Sequence, residues 1–282
     1  AGTDRAHKRA SEIAPATSTV EIAGGLELSG SEFLLLAREQ VTIGDNARLQ
    51  SSGAASNEPG GPLLITGSTG SSLVRVSRDG PVDLGRADGA AATGDVLIGP
   101  GAVLGASGSI TVDAGGTARS FGTYELGSGA GLELGSRRIV VGADQADVGD
   151  GLALNAVALG ALASASDVEL RAREELQVAG AVSLGSGAQR PGRLTLDTPV
   201  IRTSGGSPSF AAADLTLQNS GSVVATAPAA GPGTLALNTD RIQFGGGDVA
   251  LDGFDGASFS AALAVIATGE ARLRSGADLT IS

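Results

Sequence analysis

Leu194-Thr195-Leu196, Leu215-Thr216-Leu217 and Leu235-Ala236-Leu237 share one pattern and begin at positions 194, 215 and 235, so the pattern returns about every 20 residues. A longer match, Leu-x-Leu-[Asp/Asn]-Thr-x-x-Ile, runs over Leu194–Ile201 and again over Leu235–Ile242, an offset of 41 that is close to two such steps. Alternation of apolar and polar residues is the period of a strand with one buried face. Self-similarity at this short a period marks a solenoid, in which each repeat buries its apolar side only by stacking on its neighbours.

The same device extends in both directions. It recurs as Val20-Glu21-Ile22, Leu26-Glu27-Leu28, Val41-Thr42-Ile43, Ile110-Thr111-Val112, Leu132-Glu133-Leu134, Leu176-Gln177-Val178 and Leu279-Thr280-Ile281. Ala37–Ile43 matches Ala172–Val178 at an offset of 135. Between the strands stand glycines or small polar turns, and Gly24-Gly25, Gly115-Gly116 and Gly205-Gly206 are expected at sharp corners, where a Cβ is penalised. The expected fold is all-β, a right-handed parallel β-helix with coils of roughly 20 residues, each made of two or three short strands. Stacked at the spacing of sheet strands, roughly 13 such coils would extend about 60 Å. Residues 19–282 form this body. Residues 1–18 read as a polar leader or linker, with Arg5–Ala14 the one window whose spacing suits a short helix.

Composition agrees. The 282 residues include 45 Gly, six Phe, one Tyr and no Trp, Met or Cys, so a thick aromatic core of the usual kind is excluded. At 41% hydrophobic residues the chain is too apolar for disorder. Val, Leu, Ile and Ala suit thin stacked layers of strands. The net charge of −11, with a single lysine (Lys8) and a single histidine (His7), offers no basic stripe for nucleic acid. No apolar run approaches the roughly 18 residues of a membrane span. Ala1–Ser18 has no apolar section of the kind an export signal needs, and a chain without methionine reads as a processed or internal piece. Thr280-Ile281-Ser282 stops within a strand, so further coils are expected beyond it.

The C-terminal half carries a resemblance. Gly192–Thr198, Asp214–Leu217, Thr234–Ile242 and Leu273–Ile281 together are similar to filamentous haemagglutinin-like exoproteins. The resemblance covers most of Val20–Ser282 and implies a long β-helical protein exported by two-partner secretion through an outer-membrane transporter. It further implies a bacterial surface or secreted location and a role in adhesion, biofilm formation or contact-dependent delivery. The receptor or glycan on the facing cell is not named by the residues, and coil-to-coil or homo-oligomeric association is compatible with them. The family's Asn-Pro-rich secretion domain is not recognisable here.

The residues also bear on other chemistries. Parallel β-helices that cleave polysaccharides cluster carboxylates with a basic partner on one outward face. The best carboxylate groups are Asp144, Asp147 and Asp150, and Asp248, Asp252 and Asp255, which read more simply as turn residues. Neither group has the spacing of a calcium loop. Gly99-Pro100-Gly101 and Gly245-Gly246-Gly247 lack the following helix of a phosphate loop and read as corners. Arg38-Glu39 and Arg173-Glu174 read as exposed, solubilising corners. Ser51–Pro62, Gly85–Asp95, Ala143–Gly151, Gly185–Gly192 and Asn219–Gly233 interrupt the pattern and are expected to project as spacer loops. The sequence therefore assigns no catalytic, cofactor-binding or metal-ligating residue. A structural and adhesive rod is the first expectation, a polysaccharide-active enzyme the second and a self-assembling filament subunit the third.

Overall fold

The computed structural model describes residues 11–53, 62–66, 70–86, 93–225 and 227–282. His7, Lys8, the rest of residues 1–10, and parts of the Ser51–Pro62 and Gly85–Asp95 stretches lie outside the described residues. The chain is a parallel β-solenoid of about 11 turns, with nearly no helix. The first coils have three faces. Face one stacks Thr19–Ile22, Gln40–Ile43, Asp95–Ile98 and Ala118–Ser120. Face two stacks Glu27–Gly30, Arg48–Ser51, Val103–Ala106 and Thr123–Leu126.

Face three runs the length of the molecule and carries two inward ladders. One passes through Phe33, Val76, Ile110, Leu132, Val168, Leu194, Leu215, Ile242 and Val265. Two residues along each strand lies the second, Leu35, Val74, Val112, Leu134, Leu170, Leu196, Leu217 and Phe244. Most of these side chains belong to one continuous core. Burying each of the fully enclosed ones contributes about 1.5–3 kcal/mol, which replaces the aromatic bulk the composition lacks.

Four features depart from the sequence reading. First, the step is variable. Leu194 stacks on Leu215, but Leu215 stacks on Ile242, a longer step, while Leu235 sits on face two, between the positions of Pro208 and Ala257. The two copies of the eight-residue match are therefore not stacked equivalents. The excursion from Asn219 to Pro232 displaces the register, and Val200–Arg202 pairs directly with Ala250–Asp252. Such insertions lengthen coils, so about 11 turns form where 13 were expected.

Second, Ser72–Ser77 is antiparallel to both of its neighbours, Glu32–Ala37 and Ser109–Ala114. The chain leaves face two after Ser51 and doubles back, yet Val74 and Val76 still fill the ladders. Third, Ser11–Ile13, toward the end of the stretch read as a polar leader or linker, is a strand: it pairs in parallel with Leu63–Ile65, which pairs with Leu84–Arg86. This small sheet is a flap over the outer side of face three. Leu63, Ile65, Leu73, Val82 and Leu84 form a second core beneath it, with Ile13 and Leu36 alongside.

Fourth, Ala156–Ser164 is a helix. Asn155 caps it by accepting from the Val157 and Ala158 amides, and Leu162 is fully buried. The helix packs between Thr123–Leu126 and Ser183–Leu184, where face two would otherwise continue as a strand. Below it face two resumes through Leu184, Phe210, Leu237, Phe259 and Ile281. From Gly131 on, several strands run 10 to 14 residues through a corner, and register shifts at Ser136/Arg138 and Thr239/Arg241 turn the chain without a glycine break. Gly206 is a corner that does require glycine, with φ of 99° and a Cβ position 2.4 Å from the Gly180 carbonyl carbon.

Candidate functional site

The strongest concentration of buried charge lies on the outer side of face three, beneath the flap. Alternation places Thr111, Glu133, Glu169 and Thr195 in one outward column and Asp113, Gly135, Arg171 and Asp197 in the next. Arg86 enters from the flap and Arg173 from the adjoining corner.

Asp113, 2% exposed, is gripped from both sides. Its Oδ2 accepts from Arg86 Nη2 at 2.5 Å and Nε at 3.0 Å, and its Oδ1 accepts from Arg173 Nη2 at 2.6 Å. Arg86 also donates to Ser71 Oγ and the Ser71 carbonyl. Burial alone would raise the Asp113 carboxyl, but Arg173, Arg86 and Arg171 overcome it and hold it well below the usual carboxylate range. Gly135 makes the arrangement possible: a Cβ there would lie 1.9 Å from Asp113 Oδ1.

The neighbouring column behaves in the opposite way. Glu133 Oε2 accepts from Thr111 Oγ1 at 2.6 Å. Burial pushes the Glu133 carboxyl up to about 8, and the nearby Glu169 adds to the rise. Burial also raises Glu169, although Arg171 donates to its Oε1. Arg171 reaches the Leu84 carbonyl at 3.2 Å and lies 3.5 Å from Asp197 Oδ2, so it ties flap, face three and the next coil together. Burial would lower its own pKa, but four surrounding carboxylates outweigh burial and raise it.

Two raised carboxyls on adjacent coils have the chemistry of an acid–base pair. Both side chains are partly exposed, but the opening beside them is narrow. The cavity beside them is about 10 Å³, room for at most one water. The cluster is a buttress that fastens the flap to four coils.

The carboxylates singled out from sequence do not converge. Asp150 meets Arg119 at 3.3 Å and Arg137 at 3.4 Å, Asp144 accepts from Asn155 Nδ2 at 3.1 Å, and Asp147 lies in an exposed 3-10 turn. Asp248 pairs with Arg274 at 2.6 Å and Asp252 with Arg202 at 2.8 Å, while Asp255 is exposed. The Ala229 amide and Arg202 together hold Asp252 low. No group of three metal-ligating side chains occurs among the described residues.

Gly101 and Gly247 sit at corners with φ of 71° and 86°. Arg38 and Glu39 form an exposed corner, but Arg173 does not: it turns inward to Asp113 and the Ala114 carbonyl. Ala143–Gly151 is more than a spacer, because Gln145 is buried within it. Its Oε1 accepts from the Ser120 and Ala153 amides at 3.1 and 3.0 Å, and its Nε2 donates to the Val148 and Gly151 carbonyls. One side-chain amide thus bridges Ala118–Ser120 and Leu152–Leu154 as a backbone strand would.

No protein-family model matches the sequence, and no curated protein or solved structure matches it.

Proposed function

We propose that the chain is a structural and adhesive rod segment of a large exported bacterial surface protein of the filamentous haemagglutinin-like kind, delivered through an outer-membrane transporter. The observation that carries this reading is the ladder from Phe33 to Val265, which repeats one packing solution across nine strands and serves length. The outward charges support it. Arg193 meets Asp167 at 3.1 Å, Arg241 meets Asp214 at 3.2 Å, and Arg202 bridges Glu175 at 2.5 Å and Asp252 at 2.8 Å, each pair linking different coils. Exposed pairs of this sort add about 0–1 kcal/mol apiece and favour register over chemistry. A polysaccharide-active reading needs an acid–base pair that a saccharide can reach, and the space beside the Glu133–Glu169 pair, about 10 Å³, takes no more than a water.

Antibody raised against the chain should label intact, unpermeabilised cells of the source bacterium, and cells lacking the protein should attach less to surfaces. Labelling that appears only after permeabilisation would overturn the reading.

A further inference from the structure

We infer that the cleft at the foot of the Ala156–Ser164 helix is a binding site for a single neutral sugar ring. The cleft exists because a helix stands where a strand should. A helix is about 10 Å across, whereas face two stacks at about 4.8 Å, so the helix cannot sit flush on Thr123–Leu126. The gap it leaves, about 280 Å³, opens between the Ser120–Gly122 corner, the 3-10 turn at Gln145 and the helix N-terminus. That volume accommodates one hexose-sized ligand. The wall is preformed, because Gln145 is tied by four hydrogen bonds.

The lining has the mixed character that sugar rings require. Phe121, 43% exposed, is the one strongly exposed phenylalanine among the described residues, and it stands beside Tyr124, the single tyrosine of the chain. Aromatic faces take the C–H face of a pyranose. Asp144 Oδ1 accepts from Asn155 Nδ2, while Oδ2 accepts no hydrogen bond among the described residues and is open to ligand hydroxyls. Hydrogen bonds to a carboxylate are among the stronger ones.

Beneath the cleft, Tyr124 Oη and Ser120 Oγ are buried with no hydrogen-bond partner among the described residues. Burial pushes the Tyr124 phenol up to about 12; Ser120 is near enough to temper this without completing a hydrogen bond. Both oxygens are closed off from the cleft surface, so a ligand that both donates and accepts would reach them through one retained water. A sugar hydroxyl does both, whereas a quaternary ammonium offers no acceptor. Among the described residues no arginine or lysine lines the cleft, and Asp144 repels anions, so acidic sugars are disfavoured.

For its biological setting, a glycan on a facing surface, the inference rests on the adhesive reading. The binding step is tested on the isolated chain, so its failure is separate from failure of surface labelling. With one tyrosine and no tryptophan, intrinsic fluorescence reports Tyr124 alone. Titration with glucose, galactose, mannose and their N-acetylamino forms should give a saturable change with at least one of them, in the millimolar range. Glucuronate and choline should bind at least tenfold more weakly. Phe121→Ala and Asp144→Ala should each weaken the sugar at least tenfold at an unchanged melting temperature. The inference is overturned if no neutral sugar saturates the signal, if choline or glucuronate binds best, or if both variants bind like the parent chain.

Discussion

Glu133→Gln isolates the contribution of one buried carboxyl to the pH dependence of folding. The Glu133 carboxyl is pushed from 4.5 to about 8, with burial the main cause. A raised folded-state pKa means that the native chain holds the proton where the unfolded chain has released it. Stability from this group is therefore complete below about pH 4.5, declines as pH rises through the window, and is lost above about pH 8. At about 1.36 kcal/mol per unit the span approaches 5 kcal/mol, and with water reaching the partly exposed side chain about 2–3 kcal/mol is expected. Glutamine retains an acceptor for Thr111 Oγ1 and cannot ionise. Asp167 is also raised and tilts both proteins alike, whereas Glu169 is coupled to Glu133 and loses that repulsion in the variant, so the informative quantity is how the difference between variant and parent changes with pH. Urea unfolding followed by far-ultraviolet circular dichroism at pH 5, 7 and 9 should show near equality at pH 5. At pH 9 the variant should be more stable by about 2–3 kcal/mol. A difference that stays constant across the three pH values would refute the reasoning.

Three further outcomes follow from the same geometry. Gly135→Ala places a methyl group 1.9 Å from Asp113 Oδ1 and forces that carboxylate off its arginines; a loss of about 2–4 kcal/mol is expected in the same urea assay, and parent-like stability would show that the Asp113 site tolerates displacement. Gln145→Ala strands the Ser120 and Ala153 amides and should cost about 2–4 kcal/mol, with faster hydrogen exchange at those two amides as the local readout. Calcium or a chelator should move the melting temperature by less than the roughly 2 °C that about 1 kcal/mol produces in a chain of this size, because Asp144, Asp147 and Asp150 do not converge; a larger, reversible shift would restore a metal site there.

What the sequence made legible was the inward half of each strand. Leu132-Glu133-Leu134 and Leu194-Thr195-Leu196 alternate because one side meets the core, and both fall on the ladders. The copy at Leu235 misleads because every face of a solenoid asks for the same alternation. The motif marks a strand without saying which face it occupies, and the Asn219–Pro232 excursion moved it.

The outward half was not legible. Glu133 and Arg171 look like solvated residues in their own strands, and what buries them is a flap whose strands, Leu63–Ile65 and Leu84–Arg86, come from much earlier in the chain. The helix left little trace either, since Ala156–Ser164 is almost uniformly apolar and has no amphipathic stripe. Asn155 in the capping position was the one local signal. Tyr124 and Phe121 were visible as a rare aromatic pair close together in the chain, but only the missing strand beside them reveals the cleft.

The antiparallel strand Ser72–Ser77 gives the rod a mechanical polarity. Under load, the coils toward Ser282 each grip only their neighbours and would peel away singly, a sawtooth of small events. The coils toward Ser11 are clasped by a strand of reversed direction and by the flap pinned at Asp113, Arg86 and Arg171. That block is expected to yield as one larger rupture when single molecules are pulled from their ends.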